Sequence, residues 1–182
     1  MLNHGYVPSE LQLATITPIP KNRNKTLNSS NNYRGIALSS IVGKLFDTVL
    51  LSKNHAICET SDLQFGFKPK HSTHQCTFIL NEVVDYYKSN GSDMYVMLLD
   101  CSKAFDRVNY TKLFTLLLDK GFCPLTLRVL IYLYTNQQIR IKWCESVSEC
   151  TAVFNHVKQG GILSPILFIV YMDTLLRRLI QM

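Results

Sequence analysis

The spacing of apolar and polar positions changes several times along the chain, and each change predicts an element. "LATITPIP" at 13–20 alternates every second residue, as a half-buried strand does, and Pro18 and Pro20, which have no N–H to donate, predict an edge position for it. The stretch that follows, "KNRNKTLNSSNNYRG" at 21–35, has no apolar period and reads as a mobile basic loop. From residue 41 the period lengthens to that of a helix. Ile41, Leu45, Phe46, Val49 and Leu50 share a face, and Ser39 or Ser40 is placed to cap it. Ser72 and Gln75 have the spacing of a capping box, ahead of an apolar stripe formed by Cys76, Ile79, Leu80, Val83, Val84 and Tyr87. Both stripes predict helices laid against a core.

In the second half, the unbroken run Tyr95 to Leu99 predicts a buried strand that ends on Asp100. A short helix near 110–120 should stop at Gly121, and another should run from Pro124 to about Thr135. "QIRIKW" at 138–143 and "CTAVFNHV" at 150–157 suggest two strands of a hairpin. "VKQGGILSPILFIVYMDTLLRRLI" then passes through a glycine turn into a helix, with Ser164 as cap and Pro165 at its first position. Helices and strands mix without a regular βαβ repeat, which gives an α+β class and disfavours a doubly wound nucleotide fold.

Composition narrows this further. At 182 residues, 47% hydrophobic and 18% charged, the chain holds one domain with a core or part of a larger one. The net charge of +6 favours a polyanionic partner, and it is uneven: residues 1–75 carry eight Lys or Arg against four Asp or Glu, and 76–182 carry eleven against nine. The six cysteines, at 58, 76, 101, 123, 144 and 150, form no Cys-x-x-Cys pair and read as reduced core thiols of an intracellular protein, with cytoplasm and nucleus not distinguished. His71 and His74 stand one helical turn apart without a further ligand at matching spacing, so they read as a solvated helix start. No run of about 18 apolar residues and no basic-then-apolar leader is present, so neither a membrane span nor secretion is expected.

Three features invite a chemical reading, each beside a plainer one. Asp100, at the end of an apolar run, can simply open a turn, or can aim a carboxylate at a cleft. Gly160 and Gly161, after Gln159, can form an ordinary strand-to-helix turn, or a surface that lies against a base pair. Arg34, beside Lys21, Arg23 and Lys25, belongs either to a solvated cluster or to an anion grip in which the guanidinium forks onto phosphate.

Taken in order, Lys21 in "TPIPK", "NYRGIALSS", "QFGFKPKHST", "LLDCSKAFDRVN" and "VKQGGILSPILFIVYMD" resemble successive blocks of the reverse transcriptase domain of non-LTR (LINE-like) retrotransposons. The resemblance covers roughly residues 12–180. It implies a right-hand polymerase with a small antiparallel sheet packed on helices, residues 1–90 being mostly fingers and 91–182 a partial palm, the thumb absent. The implied activity is RNA-directed DNA polymerisation, with an RNA template, a DNA primer and deoxynucleotide triphosphates as partners, no membrane, and two Mg²⁺ ions about 3.5 to 4 Å apart as cofactors.

The resemblance also implies roles. Asp100 is the palm aspartate that binds magnesium, with the Cys101 carbonyl as a further ligand, and Phe105 lies under the sugar of the incoming nucleotide, where it excludes a 2′-hydroxyl. Asp106 fixes the turn and is not a ligand. Gln159 and Gly160 touch the nascent base pair, Lys21 and Arg34 meet the triphosphate, and Phe67, Lys68 and Ser72 contact template.

The family's aromatic-x-Asp-Asp hairpin is expected some tens of residues beyond the glycine block, and no two acidic residues are adjacent anywhere in these 182. One palm ligand alone does not hold two metals, so the expectation is a polymerase fragment without activity by itself. The strand ending at Asp100 is then expected to show a bare edge and an uncovered apolar face. Two alternatives remain: an enzyme completed by another chain, and a domesticated nucleic-acid-binding module that does no chemistry.

Overall fold

The computed structural model describes residues 4–22, 24, 26–54, 59–153, 157, 158 and 160–181. Its elements are β1 (Leu13–Pro20), β2 (Tyr33–Leu38), α1 (Ile41–Lys53), α2 (Thr73–Ser89), α3 (Tyr110–Asp119), α4 (Pro124–Thr135), β3 (Gln138–Trp143), β4 (Ser146–Val147), β5 (Thr151–Ala152) and α5 (Leu163–Ile180). Short 3-10 turns lie at Ser9–Leu11, Ser30–Asn32 and Ala104–Arg107. The chain is α+β.

The sheet runs β2-β1-β3-β4, with β5 also on β3. It is mixed, in contrast to the antiparallel sheet expected: β1 pairs antiparallel with β2 from Thr15↔Leu38 to Pro20↔Tyr33 and parallel with β3 from Leu13↔Gln138 to Ile16↔Ile141. β1 is therefore central, against the edge position the prolines suggested. Its prolines are tolerated because β3 pairs only as far as Ile16, which leaves Pro18 and Pro20 in the half of the strand bonded on one side. β2 lies partly in the stretch that read as loop, since ladder pairing, and not an apolar period, makes it a strand. The return strand expected at 150–157 pairs with β3 at Thr151–Ala152, and residues 154–156 lie outside the described residues. Between the β4 and β5 pairings the register slips by one residue, a bulge where Ser148 donates its N–H to the Ile141 carbonyl and takes the Ile141 N–H on its hydroxyl.

The core comes mainly from the second half of the chain, joined by Val7, Leu11 and Leu50. α3 buries Tyr110, Leu113, Phe114 and Leu117, α4 buries Leu127, Val129, Leu130, Leu133 and Tyr134, and α5 closes over them with Leu163, Leu167 and Val170. Asn109 caps α3 by accepting the Lys112 N–H, and Gly121, at φ +86°, ends it. In the sheet, the small residues Ala14 and Ala37 are buried.

Three expectations about burial fail. α1 is capped by Ser40 as expected, but Ile41, Leu45 and Val49 are exposed, and the helix turns Phe46, Asp47 and Leu50 inward. α2 has the full Ser72–Gln75 capping box, yet buries no residue. Residues 95–100 do not form a strand: among the described residues nothing pairs with them, and Tyr95 and Leu98 are 92% and 85% exposed. A strand needs a neighbour's backbone, which an apolar run cannot supply for itself. The uncovered apolar face is thus complete. The described cysteines, 76, 101, 123, 144 and 150, are exposed free thiols and not core residues, and Cys58 lies outside the described residues.

Candidate functional site

Phe105 is the centre of the arrangement. It follows Lys103, whose left-handed backbone (φ 52°) turns the chain out of the 91–102 segment into the Ala104–Arg107 turn. Its ring stacks on Phe168 of α5 with centroids 4.8 Å apart and meets Phe67 edge-on at 6.3 Å. The Phe105 carbonyl accepts the Val157 N–H at 2.9 Å, which ties this turn to the chain just ahead of the double-glycine bend. Asp106 donates its N–H to the Lys103 carbonyl, so the backbone closes this turn.

At the bend, Gly160 takes φ +112°, and a Cβ there would come to 2.8 Å from the Ala37 carbonyl of β2. Only glycine permits that approach. β2 also carries Arg34, opposite Ile19, and Lys21 follows β1 with its N–H bonded to the Asn32 carbonyl and its ammonium 2.9 Å from the Asn31 carbonyl. Lys21 and Arg34 therefore stand at one end of the β1–β2 hairpin, both exposed. Arg34 is a strand residue, not one at a helix start. Arg23, Lys25 and Gln159 lie outside the described residues.

The block 64–75 is shaped largely by its own contacts. Lys68 donates to the Thr60 and Ser61 carbonyls and pairs with Asp62, each at 3.2 Å, so its charge is spent locally. The Ser72 hydroxyl accepts the Gln75 N–H in the α2 cap. Phe67, at φ 53°, keeps an exposed ring. His71 bonds the Pro69 carbonyl through Nδ1, as a helix-entry residue does.

Asp100 and Cys101 lie on the exposed segment before Phe105, and among the described residues no hydrogen bond or ion pair reaches the Asp100 carboxylate. Among those residues, too, no group of three His, Cys, Asp or Glu side chains could hold a metal. A lone exposed carboxylate does not fit two magnesium ions, which need several hard oxygens in a fixed shell. The described residues supply one ligand and not a site.

The sequence pattern of the family described as reverse transcriptase (RNA-dependent DNA polymerase) matches residues 19–182. The chain belongs to the reverse transcriptase family. It is 26% identical over 182 residues to the Retrovirus-related Pol polyprotein from type-1 retrotransposable element R2 of Nasonia vitripennis, covering 98% of this chain and 17% of that protein. It is 27% identical over 179 residues to the corresponding polyprotein from type-2 element R2DM of Drosophila melanogaster, covering 96% and 16%. A probable RNA-directed DNA polymerase from transposon X-element of the same fly is 27% identical over 172 residues, covering 91% and 18%. The chain spans about a sixth of the length of the first two of these relatives.

Two carboxylates of this reverse transcriptase chain, the half-buried Asp47 and the buried Asp173, went unread in its sequence. Asp47 of α1 lines one small cavity with Lys158, Gly161, Ser164 and Tyr134, and burial pushes its carboxyl up to about 6, against the Lys158 charge and the backbone N–H groups of Leu163 and Ile162. Burial pushes Lys158 down, with Asp47 opposing. Tyr134 is raised by burial and then by the Asp47 charge, with the Ser164 side chain opposing. The available signal was a polar residue inside an apolar helical stripe. Asp173, 1% exposed on α5, accepts the Ser61 N–H and the Arg177 Nε, each at 2.7 Å, and so anchors the loop leading to Phe67. Among the described residues no helix is long and apolar enough to cross a membrane.

Proposed function

We propose that this chain is the nucleotide-receiving part of an RNA-directed DNA polymerase, which adds deoxynucleotides to a DNA primer paired with an RNA template. The observation that supports it best is convergence. Phe67, Phe105 and Phe168, from three motif blocks, touch in sequence, and the Phe105 backbone is bonded to Val157 just ahead of the glycine bend.

In this reading Phe105 lies under the sugar of the incoming nucleotide, and Gln159 and Gly160 face the nascent base pair. Lys21 and Arg34, at the hairpin end, offset the growing charge on the triphosphate as the primer oxygen attacks its α-phosphate. Phe67, Lys68 and Ser72 border the template, Lys68 by holding its loop. Asp100 and the Cys101 carbonyl contribute oxygens toward a catalytic cation whose other ligands are not among the described residues. Residues 1–90 correspond mostly to fingers and 91–182 to a partial palm, and the sheet crosses that boundary where β1 pairs with β3.

The test is binding of a labelled DNA primer on an RNA template to this chain, with complementary or mismatched nucleotide added. A complementary deoxynucleotide should tighten the complex more than a mismatched one, and Arg34→Ala should remove that gain and lower the salt slope by about one. Equal effects of matched and mismatched nucleotides would overturn the polymerase reading and leave a charge-driven binding module.

A further inference from the structure

We infer that the open face of the sheet carrying Arg34, Arg140 and Lys142 is a track for the unpaired template strand: the stretch of RNA not yet copied lies across β1 and β3 and is held there by its phosphates. Residues paired across a sheet share a face, and so do residues two apart along a strand. Arg34 stands opposite Ile19, and Arg140 stands opposite Thr15. Ile19 and Thr15 are four residues apart on β1, so the two arginines lie on one side of the sheet. Lys142 follows Arg140 by two residues on that same side. All three cations are exposed, as are Ile19 and Leu38 on the same face.

Arg140 is a held contact and not a loose surface charge. Its Nε donates to the Thr15 hydroxyl at 3.0 Å, from β3 across to β1, which leaves the two terminal amino groups of the guanidinium as a fork for an anion. Among the described residues no hydrogen bond or ion pair reaches that fork, or the side chains of Arg34 and Lys142. Glu145 and Glu149, in the connection after β3, make no ion pair with this face either. β3 has neighbours on both sides, so its cations are not there to protect a sheet edge.

The spacing selects the occupant. At about 3.3 Å per residue, Thr15 and Ile19 are roughly 13 Å apart, so Arg140, pinned on Thr15, does not join Lys21 and Arg34 on one triphosphate at the hairpin end. Lys142 stands about 7 Å nearer that end, because β3 runs parallel to β1. Cations set out along a line in this way match separate phosphates of one strand that leaves the triphosphate site. The rings of Tyr33 and Trp143, edge-on at 5.1 Å, belong to the opposite face, since Tyr33 alternates with Arg34 and Trp143 with Lys142. Among the described residues of the sheet the cationic side therefore has no ring for bases to stack on, and the grip is on the backbone, independent of base sequence. The inference rests on the polymerase reading for which strand lies there.

The test is binding of a labelled DNA primer, over a salt series, on RNA templates that run past the primer by a single templating base or by a long unpaired extension. The extension should tighten binding of the wild-type chain about tenfold, whatever its sequence. The double variant Arg140→Ala with Lys142→Ala should lose that gain, and its salt slope on the extended template should fall by about 1.4, or about 0.7 for each cation withdrawn from a single strand. On the short template it should bind, and prefer the matched nucleotide, as the wild type does. Arg140→Gln and Lys142→Gln, each expected to lower the slope by about 0.7, keep the result readable where the double variant folds poorly. No gain from the extension in the wild-type chain, a gain that the variants keep, or an equal loss on both templates overturns the inference. Binding of polyglutamate in place of the extension, lost in the variants, also overturns it, in favour of an acidic protein partner. An extension gain that the variants remove, without any preference for matched nucleotide in the wild type, leaves the track standing and overturns the polymerase reading.

Discussion

Asp173 offers a stability test with an unusual ordering. Its carboxylate is 1% exposed and makes two bonds of 2.7 Å, to the Ser61 N–H and to Arg177 Nε, whereas the Arg177 side chain is 60% exposed. Asp173→Ala releases Arg177 to water at little cost but strands the Ser61 N–H, for a loss of about 2–3 kcal/mol. Arg177→Ala leaves a buried carboxylate without its charged partner, and Lys120, which contributes only through its charge, does not replace the lost bond. That loss should equal or exceed the first. Asp173→Asn keeps the acceptor for Ser61 and should cost about 1 kcal/mol. Urea unfolding of the three variants measures the order directly. Burial raises this carboxyl, but the Arg177 bond, the Ser61 N–H and the charges of Arg177 and Lys120 outweigh it and hold it below the ordinary range. The contribution is therefore present above about pH 4 and fades as pH falls through the depressed folded value, so Asp173→Asn should converge on the wild type in acid. An Arg177→Ala variant within about 0.5 kcal/mol of wild type at pH 7 would refute the reasoning, because it would mean that water already solvates the carboxylate.

Gly160→Ala combines φ +112° with a Cβ 2.8 Å from the Ala37 carbonyl, and should cost about 1–3 kcal/mol in urea unfolding and weaken primer–template binding. Cys123 sits at the start of α4, where the Thr126 and Leu125 N–H groups lower its thiol below the ordinary value, so iodoacetamide should label it faster than Cys76 or Cys144 near pH 7.5. Leu98→Ser, at a position 85% exposed, should leave the unfolding midpoint within about 0.5 kcal/mol of wild type while raising the solubility limit. A larger loss would mean that the apolar run packs against something.

What could be read from the sequence was whatever depends on neighbours a few residues away. The Ser40 and Ser72 caps, the Gly121 stop, the Pro124 start of α4 and the return of the chain from 138–143 to pair at Thr151–Ala152 depend on residues close in sequence, and each is present. The misreadings concern partners distant in the chain. β1 looked like an edge until β3 was seen to pair only with its proline-free half, and the outer faces of α1 and α2 looked like core because periodicity reports amphipathicity and not what lies opposite. For the same reason the motif blocks could be recognised individually, whereas the link that joins them, the Phe67–Phe105–Phe168 contact with the Val157–Phe105 bond, could not.

Residues 95–100 and α5 show what distant partners decide. Both are apolar runs that end or begin beside a functional motif. α5 carries a carboxylate held from a distance, Asp173, which accepts the N–H of Ser61 more than a hundred residues away in sequence. Asp100 has no such support: the run before it is bare, and its carboxylate meets no partner among the described residues. A carboxylate on a chain segment without ladder bonds samples many positions, and a cation site requires ligands held to within a fraction of an ångström. In this chain, then, the glycine bend packs against β2 of the same domain, while the Asp100 carboxylate lies on a segment with which nothing among the described residues pairs.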